Sequence, residues 1–112
     1  MSQAEYQQAL SLFSQGDYIQ AREICASLDR RYPGQPAIIE LYGVTLLNLG
    51  EYEQACEKFR QQIRLEKKNA AAHNGLAIGY YMMKDKEMAQ KHAKIAKKLG
   101  FKVQKKLLKA IK

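Results

Sequence analysis

Apolar positions recur along this chain at intervals of three and four residues, in blocks broken by glycine, proline or charged residues. The clearest block follows Pro36, where Ile38, Leu41, Tyr42, Leu46 and Leu49 fall on one side of a helix and Gly50 stops it. A second helix is predicted directly after it, with Ala55, Cys56, Phe59 and Ile63 inward and an end near Leu65. The same alternation predicts helices over about 3–14 and 18–31, with a turn at Gly16 and Pro33 beyond the end. It predicts another pair from Ala70 to Met82 and on to Leu99, with Asn69 as N-cap and a turn near Lys84 and Asp85. A last helix over 102–111 would place Val103, Leu107, Ala110 and Ile111 on one side and lysines around the rest.

These blocks repeat with a period of 34 residues. Gly16, Asp17 and Tyr18 return as Gly50, Glu51 and Tyr52, and Ala21 returns as Ala55 and Ala89. Ala9, Gly43 and Ala77 form a second series at the same offset, and Leu12, Leu46 and Tyr80 a third. Antiparallel helices approach closely only across small side chains, so the first two series mark the points of contact and the larger residues fill the grooves beside them. Each pair leaves an apolar face that a neighbour must cover, which makes 102–112 a cap for the last pair.

The pattern of small residue, large residue, Gly-x-Tyr turn, alanine, aromatic and proline resembles the tetratricopeptide repeat. The second unit matches best, through Gly43, Leu46, Gly50, Tyr52, Ala55 and Phe59. The first carries Ala9, Leu12, Gly16, Tyr18, Ala21 and Pro33, with Cys25 in place of the aromatic. The third keeps Leu76, Ala77, Tyr80 and Ala89 and puts Lys84 and Lys86 in place of the turn glycine and tyrosine. The resemblance implies an all-α chain, an α-solenoid winding as a right-handed superhelix. It forms one domain over 1–112, with repeats at about 2–35, 36–69 and 70–101 and a capping helix over 102–112.

The same resemblance implies a non-catalytic, chaperone-like scaffold or adaptor that holds a peptide segment of a partner protein in a concave groove lined by the first helix of each repeat. In that register the groove is expected to be formed by Tyr6, Leu10 and Phe13, then Glu40, Val44, Leu47 and Asn48, then Asn74, Ile78, Tyr81 and Met82. One subclass of the family grips a C-terminal carboxylate with lysine and asparagine. The positions that correspond here, Tyr6, Leu10, Leu41, Ile78 and Met82, hold no basic residue, so that clamp is absent. An apolar, aromatic groove with two asparagines for a peptide backbone remains, and self-association is the other use such a face has.

Charge adds one asymmetry. The net charge is +8, yet residues 88–112 hold nine lysines and no acid, while the first 87 carry 10 basic and 11 acidic side chains. An electrostatic binder of nucleic acid or an anionic membrane surface, working through Lys91 to Lys112, is therefore the alternative function. Against it, that segment offers only Phe101 for stacking on bases, and its apolar positions are needed for the cap. Helix termini and a solvated outer face account for the lysines more simply.

The remaining composition excludes more than it assigns. Hydrophobic residues make up 46% and charged residues 27% of the 112, an ordinary globular balance. The longest nearly apolar run, 75–83, is far short of the roughly 20 residues that span a membrane, and the first residues show no secretory signal. Cys25 and Cys56 match neither a metal site nor a disulfide framework and read as buried thiols in a reducing, cytoplasmic setting. His73 and His92 are expected in separate parts of the third unit, with His73 packing at a helix interface. Neither they nor any loop or triad supply a catalytic, metal or cofactor site, so no enzyme activity is expected.

Overall fold

The computed structural model describes residues 3–112; the expected start of the first repeat at Ser2 lies outside them. It consists of α1 (Gln3–Ser14), α2 (Tyr18–Arg31), α3 (Pro36–Asn48), α4 (Tyr52–Leu65), α5 (Ala70–Met82), α6 (Lys86–Lys98) and α7 (Lys105–Ala110), with no strand among the described residues. Helices α1 to α6 each pack mainly on their neighbours in sequence, and α3 also touches α1 and α5. The outcome is an elongated stack, 41 × 26 × 21 Å, with the first helices of the three pairs side by side.

The 34-residue period is written into the turns. Gly16, Gly50 and Lys84 all adopt positive φ, at 81°, 78° and 65°. Behind each, the amide of the next residue donates to the carbonyl five residues back: Asp17 to Leu12 at 2.8 Å, Glu51 to Leu46 at 3.0 Å and Asp85 to Tyr80 at 2.8 Å. This is a helix end closed by a left-handed residue, a conformation glycine adopts freely and lysine does not. The third turn therefore keeps the geometry after losing the glycine. The helices that follow are capped by Asp17 and Asp85, whose carboxylates accept from the amides of Gln20 and Met88, and α5 by Asn69, which accepts from Ala72 at 3.0 Å.

The contact series are buried as the spacing requires: Ala9, Ala21, Gly43, Ala55, Ala77 and Ala89 have essentially no exposed surface. The central cluster joins Leu46, Ala55, Cys56, Phe59, Ala72 and Leu76. Phe59 is the wedge of this cluster. A β-carbon built on Gly43 would stand 2.9 Å from its ring, and one on Gly75 would stand 2.7 Å away. Gly79 leaves equally little space against the Cys56 sulfur. Ion pairs then tie repeat one to repeat two on the outside, between Arg22 and Glu51 and between Lys58 and Asp29, the latter at 2.8 Å.

Two expectations are corrected. The final helix begins at Lys105 rather than 102, because Gly100 at φ 96° ends α6 and the next four residues run without helix, which carries Val103 into the core. Within it Ala110 is exposed, and Leu108 joins Leu107 and Ile111 against Ala77, Ala89 and Ala93. His73 and His92 do not lie apart. Their Nδ1 atoms are 3.0 Å from each other, while His73 is buried at the helix interface as expected.

Candidate functional site

The first helices position the expected groove residues in three groups. Tyr6, Leu10 and Phe13 of α1 are half-buried, together with Val44 of α3, against the cluster of Ala9, Cys25 and Leu41. Phe13 also meets the Tyr18 ring edge-on, with centroids 5.3 Å apart. These side chains serve packing as well as surface. Burial, with Glu40 and Cys25 nearby, raises the Tyr6 phenol above its ordinary pKa. Glu40 is exposed beside this group.

The second group is more open. Leu47 and Asn48 at the end of α3 meet Ile78 and Met82 of α5 and Tyr52 of α4 around a shallow cavity of about 240 Å³. Next to it, Tyr81 and Met82 join Lys84 and Lys86 around a second cavity of about 430 Å³. Tyr81 is 37% and Met82 46% exposed, among the largest exposed apolar side chains of the described residues. Asn48 is exposed and donates its side-chain amide to the Val44 carbonyl at 2.8 Å. Asn74 forms the third group alone: its Oδ1 is buried without a partner among the described residues.

Sequence reasoning missed Tyr52, Lys84 and Lys86. Tyr52 comes two residues after the turn glycine and reads as a turn residue, although its ring reaches back over Gly50 and lines the same cavity as Leu47. Lys84 and Lys86 stand in place of the expected glycine and tyrosine, and that departure was the available signal that the third turn presents charge beside Tyr81.

Burial pushes the Cys25 thiol up to about 11 and raises Cys56 as well, opposite to what a nucleophile requires. His73 and His92 share an N–H···N bond, with ring centroids 5.2 Å apart. His73 Nε2 donates to the Lys67 carbonyl at 3.3 Å, so its Nδ1 is the acceptor and His92 Nδ1–H the donor, and both rings are engaged within the helix interface. His92 also lies 5.7 Å from the Tyr80 ring, whose hydroxyl accepts from Arg60 at 2.8 Å. Burial, reinforced by His73, Lys91 and Arg60, lowers His92 to about 4. Among the described residues no group of three or more His, Cys, Asp or Glu side chains is arranged to hold a metal ion.

A repeat of this length, closed by a left-handed turn and stacked first helix on first helix, can be compared with known proteins directly. The family profile described as tetratricopeptide repeat matches residues 3–34, and the other two units repeat that geometry at the offset already described. Residues 3–34 match a tetratricopeptide repeat, and the chain as a whole shares the fold of solved TPR domains. Similar solved structures include the first TPR domain of the human RPAP3 protein, with a TM-score of 0.83 and 16% identity over 95% of this chain and 86% of that one. The Sgt2 TPR domain from Aspergillus fumigatus superposes with a TM-score of 0.82 and 14% identity, covering 96% of this chain and 72% of that one. A MamA RS-1 double mutant matches with a TM-score of 0.82 and 21% identity over 86% of this chain. The chain spans about half the length of that MamA chain, 54% of it. No curated protein matches the sequence. No helix among the described residues is long and apolar enough to cross a membrane.

Proposed function

We propose that this tetratricopeptide-repeat chain is a non-catalytic interaction module, a scaffold, adaptor or chaperone-like holder that binds a peptide segment of a partner protein on its first helices. The observation that carries this reading is the juxtaposition of Leu47, Ile78, Tyr81 and Met82, half-buried or exposed, around adjoining cavities on one face. Exposed aromatic and thioether groups gathered in one place are costly on a solvated surface and are typical of anchoring sites. The exposed side-chain amide of Asn48 can bond a peptide backbone, and Lys84 and Lys86 favour an acidic residue at one end of the bound segment. Tyr6, Leu10 and Phe13 extend the same face at lower exposure. The two buried, unpaired thiols support a reducing compartment such as the cytoplasm.

Peptide-display selection against the intact chain tests this. Enriched peptides are expected to carry large apolar side chains, and Tyr81→Ala with Met82→Ala is expected to weaken their binding at least about tenfold with an unchanged melting temperature. Lys105→Gln with Lys106→Gln is expected to leave that binding unchanged. Selection that yields no binder, or binders indifferent to the first pair and dependent on the second, contradicts the proposal. Concentration-dependent sedimentation abolished by Tyr81→Ala would instead identify a second copy of the chain as the occupant.

A further inference from the structure

The face of first helices also has a polar end. Where α3 begins and α4 ends, Pro36, Glu40, Gln62, Leu65, Glu66 and Asn69 surround a cavity of about 400 Å³. It lies at the opposite end of α3 and α5 from the cavities of Leu47, Tyr81 and Met82. Glu40, Val44 and Leu47 are spaced at i, i+4 and i+7, which puts them on one side of α3. One period away in either direction, the place of Glu40 is taken by Tyr6 and Asn74. Glu40 thus joins this cavity to the apolar part of the groove.

The cavity is rich in acceptors and holds no cation. Gln62 is 4% exposed, and its Oε1 is buried without a partner among the described residues. A buried amide oxygen left unbonded costs free energy, which a donor entering the cavity recovers. Glu66 stands one turn beyond Gln62 as the C-cap of α4, where the helix dipole is negative and disfavours a carboxylate. Glu40 brings a second carboxylate from α3. Both are exposed, and no ion pair among the described residues uses either. Lys67 and Lys68 follow in the loop and do not line the cavity. Asn69 is engaged by its own helix, its Oδ1 accepting from the Ala72 amide.

The lining selects a cation on a long apolar stem. Pro36 and Leu65, the latter 53% exposed, form apolar wall, and arginine lays its methylenes on such surface while its head group stays polar. A guanidinium presents five N–H donors in a planar fork, enough for two carboxylates and an amide oxygen, whereas an ammonium offers three. We propose that this cavity seats an arginine side chain of the bound peptide, with its guanidinium between Glu40, Glu66 and the Gln62 oxygen and its stem along Leu65. Resting on the reading of the first helices as a peptide groove, this gives the bound segment a polarity: arginine at the start of α3, an apolar anchor at Leu47 and Ile78, and an acid beside Lys84 and Lys86. The rise along α3 from Glu40 to Leu47 is about 10 Å, which an extended peptide covers in about three residues.

The test uses short fluorescein-labelled peptides of alanine and serine carrying one phenylalanine anchor and one arginine, the arginine moved through successive positions on either side. Glutamine or glutamate replaces the arginine in the controls. Anisotropy titration of the full chain is expected to favour arginine over glutamine at least about tenfold when it stands about three residues from the phenylalanine, with the preference reduced by salt. Amide shifts at Gln62 and Glu66 are expected with the arginine peptide and not with its glutamine counterpart. Glu40→Gln with Glu66→Gln, both exposed positions, is expected to remove the preference at an unchanged melting temperature. Glu40→Lys with Glu66→Lys is expected to transfer it to the glutamate peptide. Arginine that binds no better than glutamine at any position, while Tyr81→Ala with Met82→Ala still weakens every peptide, overturns this assignment and leaves the groove reading standing. An arginine preference that survives the double glutamine variant overturns it as well. Failure of all the peptides to bind overturns the groove reading and this assignment with it.

Discussion

Around Phe59 there is no space for one more methyl group; between α6 and the last residues there is an open cavity of about 480 Å³. Both places are built from the same repeat, and residues 34 apart occupy equivalent positions in them. The difference is the number of neighbours. Phe59 lies between Gly43 of its own repeat and Gly75 of the next, whereas Ala93, its counterpart one repeat later, packs with Ala77, Ala89 and Ile111 and lines an open cavity. In a stacked array each unit is stabilised by the units on either side. Stability is therefore concentrated at the centre, and open apolar surface, where a partner can add area, is left along the first helices.

The largest expected effect tests that contrast head on. Phe59→Ala removes the central wedge and should lower stability by about 3–5 kcal/mol, while Leu108→Ala, half-buried at the open groove, should cost about 1 kcal/mol or less. Urea titration of the two variants checks the difference, and equal losses would break the comparison. Next, Gly75→Ala forces a β-carbon into the Phe59 ring and should cost about 1–3 kcal/mol. The added alanine's better helix propensity offsets less than about 1 kcal/mol of this.

Acidification probes the seam between α5 and α6. His92 is lowered to about 4 from 6.5, first by burial and then by His73, Lys91 and Arg60. Between those values the unfolded chain binds the proton and the folded chain does not, so this contribution is fully present above pH 6.5 and fades as pH falls toward 4. With partial solvent screening the loss should be about 1–2 kcal/mol. Denaturant melts at pH 7 and pH 4.5 should show it, and His92→Gln should flatten that part of the profile. The smallest expected change is a gain. Lys84 holds the turn position at φ 65° that glycine fills in the other two repeats, so Lys84→Gly should stabilise the chain by up to about 1 kcal/mol. A melting temperature that falls would show that the lysine side chain compensates for its backbone.

Much of the fold was legible because helix ends and contact points use residues with few substitutes. Gly16 and Gly50 mark turns, and the series through Ala9 and Ala21 marks the close approaches. The third turn was legible only by its offset, since nothing in Lys84 itself signals a left-handed residue. The start of α7 was misread because Val103 fits a helical stripe, yet it reaches the core from an extended segment. The groove was less legible than the core. Periodicity places Tyr6, Phe13 and Tyr81 on one face, but the depth of a side chain depends on what stands across from it: Phe13 meets Tyr18, and Tyr81 stands partly exposed beside Met82, Lys84 and Lys86. The two histidines were misread for the same reason, because their 3.0 Å contact joins two helices whose relative rotation no local pattern records.

The central claim is that recognition takes place on the first helices, apart from the packed centre. The most direct measurement is an amide chemical-shift map of the labelled chain with a peptide enriched by display selection. Perturbations centred on Leu47, Asn48, Ile78, Tyr81 and Met82, with the amides around Phe59 unmoved, are the expected result. Perturbations confined to 91–112, or spread through the core as the protein rearranges, would contradict it.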